Sequence, residues 1–183
     1  MPAPLILPYR GIMPKIDPRA FVAPGAVVIG DVEIGHLSSI WFGCVVRGDV
    51  NHIRIGSRTN IQDGAIIRVD SGALATIVGD DVTVGHNAVI HACTLQNRAF
   101  VGISATVLDG AVIEEGGMLG AGGLLAPGKV IRRNELWLGT PARLVRVMDD
   151  EERRTYLSES LFLNTVKYEN DKLEAYMKKL SKK

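Results

Sequence analysis

The sequence lacks any apolar run approaching the roughly 20 residues that a membrane-spanning helix needs, so no transmembrane helix is expected. Its opening segment, MPAPLILPYRG, holds too much proline and too short an apolar stretch for a signal peptide. A cytoplasmic protein is the expectation. Cysteine is scarce: Cys44 and Cys93 sit in apolar sequence without CxxC spacing, which suits buried reduced thiols rather than a disulfide or a zinc knuckle. Charge of one sign is missing too. With 21 Lys and Arg against 20 Asp and Glu, the net charge is +1, which provides no global field for nucleic acid or an anionic membrane.

Glycine is absent from the last 44 residues, although 20 glycines lie between Gly11 and Gly139. They follow no three-residue period, which excludes collagen. The 183 residues allow one domain with a sizeable core. Within it, a Gly-rich body and a Gly-free tail must be built differently.

The body repeats every six residues. Aliphatic side chains recur at Val22, Val28, Ile34, Ile40 and Val46, then at Ile55, Ile61 and Ile67, then at Val78, Val84 and Ile90. The series continues through Leu95, Val101, Val107, Ile113, Leu119 and Leu125. Six is a multiple of the strand period of two and a poor match to 3.6, so these are short strands joined by turns. The interspersed glycines, with Pro24 and Pro127, argue further against helix. A six-residue unit cannot enclose a core alone, but stacked coils can, each aliphatic side chain lying over its counterpart below.

Residues 148–183 read as a helix that packs along the body of residues 1–147 in the same domain. Asp149 to Glu152 suit its N-terminus and Lys178, Lys179, Lys182 and Lys183 its C-terminus. Leu157, Leu161, Val166, Leu173, Tyr176, Met177 and Leu180 approximate an apolar stripe. The run LGTPARLVR, Leu138 to Arg146, reads as a turn leaving the last coil.

Regular repeats carry stability, so function is sought where the register breaks. From Val46 to Ile55 is three residues more than a hexad and from Ile67 to Val78 five more, which suggests two bulged loops. If the faces stay in phase, Val46, Ile67 and Ile90 share one face, and Ile61 and Val84 another. Arg47, Arg68 and His91 then form one polar column, while Asp63 and His86 stack in a second beside Gln62. His36 and His52 read as solvated. His86 and His91, five residues apart, do not chelate a metal together by strand alternation, but could converge across an interface between two copies.

The runs IWFGCVVRGDVNHIRIGSRTNIQDGAIIRV (Ile40 to Val69) and VTVGHNAVIHACTL (Val82 to Leu95) resemble the γ-class carbonic anhydrase family, and LGTPARLVR with a terminal helix matches its ending. The resemblance implies an all-β body, a left-handed parallel β-helix of hexapeptide repeats with about six coils, and a C-terminal α-helix. It implies a homotrimer with zinc, iron or cobalt at each subunit interface, held by three histidines, and a lyase reaction hydrating CO2 to bicarbonate. His91 corresponds to a same-subunit ligand and His86 to the cross-interface ligand. Arg47 and Asp49 match an interface ion pair. Asn60, Gln62 and Asp63 match polar residues around the metal-bound water, with Gln62 its hydrogen-bond partner.

At the remaining histidine position of that family stands Arg68. A guanidinium has no lone pair to offer and does not deprotonate in proteins, so it cannot ligate. Two arrangements answer this: Arg68 pairs with Asp63 or Asp49 and the metal is lost, or it swings outward and the two histidines hold a metal weakly with water or Asp63. Efficient hydration is in question under both. Two alternatives remain: a metal-free trimeric scaffold or small-anion-binding protein using Arg47, Asp49 and Arg68, and acyl transfer with a coenzyme A cleft. The last lacks the long protruding loop common in that branch.

Overall fold

The computed structural model describes residues 3–152, 154 and 155. Strands mostly two or three residues long alternate with turns and wind into a three-sided prism, a left-handed parallel β-helix. Each face is a ladder of parallel rungs. The first runs through Leu5–Leu7, the start of Val27–Ile34, the start of Val45–Ile55, Ile66–Arg68, Val89–His91, Thr106–Val107 and Leu124–Leu125. The second runs from Lys15–Ile16 to Val130–Ile131, and the third from Phe21–Val22 to Glu135–Gly139. Seven rungs stack on the third face, one more than the expected six coils, because the register continues past Leu125 through Ile131 and Trp137. At about 4.8 Å per rung, the prism is on the order of 30 Å long.

The hexad positions are the core. Val28, Val46, Ile67, Ile90, Val107 and Leu125 stack inside the first face, and Ile40, Ile61, Val84, Val101 and Leu119 inside the third, all fully buried. Burial of each such side chain contributes about 1.5–3 kcal/mol. Cys44 and Cys93 are buried free thiols within this core, in keeping with the expectation. At one edge Gly35, Gly56 and Gly79 lie over one another so closely that a Cβ on Gly56 would stand 2.6 Å from the Gly79 carbonyl carbon. There glycine is needed for close approach of successive coils.

Only one of the two expected bulges is a loop. Val45–Ile55 is a continuous strand of 11 residues that bends round the prism edge while paired to Val27–Ile34, with one register shift between Gly30 and Val32. Backbone pairing on that neighbour absorbs the three extra residues. The segment at 69–75 is irregular, tied down by Asp70 Oδ2 accepting the Gly72 N–H (2.9 Å) and by Asn51 Nδ2 donating to the Gly72 carbonyl (3.2 Å).

The expected exit turn is instead an antiparallel hairpin of Glu135–Gly139 and Ala142–Val147, which closes the third face. A helix then starts at residue 150. Asp149 caps it, its Oδ1 accepting the N–H groups of Glu151 (3.0 Å) and Glu152 (2.8 Å). The apolar stripe from Leu157 to Leu180 and the terminal lysines lie outside the described residues. Among the described residues, no helix is long and apolar enough to cross a membrane.

Candidate functional site

On the first face, each inward aliphatic is followed by a residue pointing out of the prism. In three consecutive rungs these are Arg47, Arg68 and His91, with Arg47 paired in register to Arg68 and Arg68 to His91. The column inferred from spacing is therefore in place. Beside it lies Asp49, whose Oδ2 is 3.1 Å from Arg47 Nε and 3.8 Å from Arg68 Nη2, while its Oδ1 accepts the Val50 N–H at 3.0 Å. One carboxylate thus serves two guanidiniums, leaving an excess of one positive charge. Despite its distance, Arg47 Nε is not aligned for a hydrogen bond, and Arg68 Nε has no partner; both atoms are buried. An unmet buried donor costs about 1–3 kcal/mol.

His91 Nδ1 pairs with Asp109 Oδ1. A carboxylate facing Nδ1 marks it as the proton-bearing nitrogen, which directs Nε2 away as an acceptor. Asp109 was not among the residues singled out above. Its signal is the spacing of 18 residues from His91, one regular coil.

The second column stands at the edge leaving the third face. Ile61 and Val84 are rung partners, the Asn87 N–H donates to the Asp63 carbonyl at 2.9 Å, and His86 Nδ1 lies 3.0 Å from Asp63 Oδ2. Gln62 is half-buried beside them. Asn60 is placed differently: it is 1% exposed, and its Oδ1 accepts Trp41 Nε1 at 2.7 Å and Ser39 Oγ at 3.1 Å. Within one chain its side-chain oxygen thus serves packing against Trp41. His36, expected to be merely solvated, faces Asp17 Oδ1 at 3.2 Å. The Arg19 N–H, aided by the His36 hydrogen bond, holds that carboxyl below its ordinary range.

Among the described residues, no group of three or more His, Cys, Asp and Glu side chains gathers as a metal site. The donor set explains why a second copy alone would not complete three imidazoles. Bringing His86 to His91 supplies two, and the rung directly below His91 holds a guanidinium, which repels a cation and lacks a lone pair. The residues present do not fit a three-histidine metal centre.

The wound hexads and glycine-stacked edge define a hexapeptide-repeat protein. No protein-family model matches the chain. It is 51% identical over 152 residues to Gamma carbonic anhydrase 2, mitochondrial, of Arabidopsis thaliana, covering 80% of this chain and 54% of that protein. It is 44% identical over 150 residues to the carbonic anhydrase of Geobacillus kaustophilus, covering 82% of each. A hexapeptide transferase family protein from Anaplasma phagocytophilum superposes with TM-score 0.81 at 45% identity, over 87% of this chain and 96% of the other. The chain spans about half the length of its plant relatives. It belongs to the γ-class carbonic anhydrase family.

Proposed function

We propose that this chain is a carbonic-anhydrase-like homotrimer whose interface pocket recognises CO2 or bicarbonate, and that it hydrates CO2 poorly as it stands. The observation that carries this reading is Arg68 in register with His91. Hydration by the zinc route needs three protein ligands and a bound water, and the third ligand position is a fixed cation.

Two features support assembly with second copies. Leu5, Val27, Val45, Ile66 and Val89 follow one another, rung on rung, as a column pointing out of the first face. Leu5 is 49% and Ile66 38% exposed. Such a stripe on an outer face is stabilised by cover, and it runs beside Arg47, Arg68 and His91. The second column, Gln62, Asp63 and His86, leaves the prism by a different edge, so meeting the first requires another copy. In the assembled pocket Gln62 orients the small molecule by its amide, Asp63 holds His86 through Nδ1, and Asp49 places the guanidiniums of Arg47 and Arg68 along the wall.

Metal analysis and stopped-flow CO2 hydration on the purified protein and on Arg68→His test the reading. Little zinc and slow hydration are expected in the unchanged protein, and a gain of both in the variant. Stoichiometric zinc with fast hydration in the unchanged protein would overturn it.

A further inference from the structure

Asp49 lies between two guanidiniums from adjacent rungs, so the group of Arg47, Asp49 and Arg68 carries one positive charge in excess. Among the described residues neither Nε has an aligned hydrogen-bond acceptor, although both atoms are shut off from water. Among the described residues, the carboxylate in ionic contact with Arg68 is that of Asp49 at 3.8 Å, too far for a direct hydrogen bond. Both side chains nevertheless stay about one-third exposed, 36% for Arg47 and 34% for Arg68, so each can be approached from outside once its buried Nε turns outward. Arginine chosen only for stability would spend its donors on internal acceptors. Here two stacked forks are held open beside an apolar column, where water is a weaker competitor once the face is covered.

We propose that Arg47 and Arg68 form a metal-free binding site for one small planar monoanion, a bicarbonate or a short carboxylate. The charge matches within one copy, where one monoanion neutralises the excess, and the Asp63 that a second copy brings is already engaged by His86. The shape matches as well, because a guanidinium fork donates two parallel N–H bonds to the two oxygens of a planar carboxylate. Turning either arginine so that Nε and Nη face the ligand gives the orphaned Nε–H its acceptor. Asp49 is the internal competitor for both forks and sets the affinity. No bond is made or broken in this step; the site retains the anion and does not form it. The inference rests on the preceding reading in one respect, that no metal occupies the place of Arg68.

The test is titration calorimetry of chelator-treated, metal-free protein with bicarbonate and with acetate, and with sulfate as a tetrahedral dianion, alongside light scattering of the same samples. Bicarbonate and acetate are expected to bind and sulfate more weakly. Arg68→Gln should weaken binding by roughly tenfold or more, Arg68→Lys less, and Asp49→Asn should strengthen it by removing the competing carboxylate. Thermal melts establish that the variants are folded, and the opposite signs of the Arg68 and Asp49 effects do not follow from general loss of structure. Metal-free protein that binds neither planar anion, an Arg68→Gln variant of unchanged affinity, or sulfate bound as tightly as bicarbonate would each overturn the proposal while leaving the assembly reading untouched. Binding lost on chelation and restored by zinc would place the anion on a metal and overturn both. A monomer that still binds acetate would overturn only the assembly.

Discussion

Arg68 is the rung partner of His91: their strands, Ile66–Arg68 and Val89–His91, pair in parallel with these two residues opposite one another. A fixed cation therefore sits one β-spacing from the imidazole whose Nδ1 is held by Asp109. Substituting Arg68→His removes that charge and supplies a third imidazole. Zinc content should rise toward one per pocket and CO2 hydration by at least about tenfold, while Arg68→Lys changes neither, since an ammonium is likewise no ligand. Metal analysis and stopped-flow assays on the three proteins check this.

Ile66 lies in the outward aliphatic column and is 38% exposed. On the proposed trimeric assembly the unchanged protein is expected at about three times 19.8 kDa and Ile66→Asp at the mass of a monomer, because a carboxylate buried against apolar surface is strongly disfavoured. Val130→Asp, on the second face and 37% exposed, should leave the mass unchanged. Light scattering reads both.

Asn60 accepts the Trp41 indole N–H at 2.7 Å while buried. Asn60→Ala is expected to cost about 1–3 kcal/mol in denaturant unfolding and to shift the Trp41 fluorescence as the indole loses that acceptor. An unchanged midpoint and spectrum would argue against this packing role.

A Cβ on Gly56 would meet the Gly79 carbonyl at 2.6 Å, whereas one on Gly25 would find open space but sit at φ +78°. Gly25→Ala should therefore cost about 1–2 kcal/mol from the left-handed backbone alone. Gly56→Ala should cost more, because stacked coils must separate. Paired denaturation curves give the order.

Burial pushes the Cys44 thiol up to about 11 and the Cys93 thiol up to about 12. The neutral forms are favoured on folding, so this contribution is complete below the unfolded thiol pKa, near 9, and is lost as pH rises from there through the folded values. Native protein at pH 8 should resist thiol reagents, both cysteines reacting in denaturant, and the unfolding midpoint should fall between about pH 9 and 11. Rapid labelling of the native protein at pH 8 would contradict this.

Much of the site was legible because a six-residue period makes position along the chain equivalent to position on a face. Arg47, Arg68 and His91 could be stacked by counting, and so could Asp63 and His86. Counting could not tell a bulge from a bent strand: the three extra residues between Val46 and Ile55 are absorbed in the ladder with Val27–Ile34, a choice made by the neighbouring strand. Nor could it assign partners. Asp109 takes His91 because the intervening coil is regular, and Asn60 Oδ1 accepts from both the Trp41 indole and the Ser39 hydroxyl on the neighbouring coil.

The sequence by itself determined a body of stacked coils and the two polar columns, since both follow from residue type and period, and its resemblance to a known family implied that Arg68 stands where that family's third histidine would. Only the tertiary structure decided that Asp49 is shared by two arginines whose Nε atoms are left without acceptors. Distances and hydrogen-bond alignments between side chains on successive coils depend on how the coils pack, and no spacing along the chain encodes them.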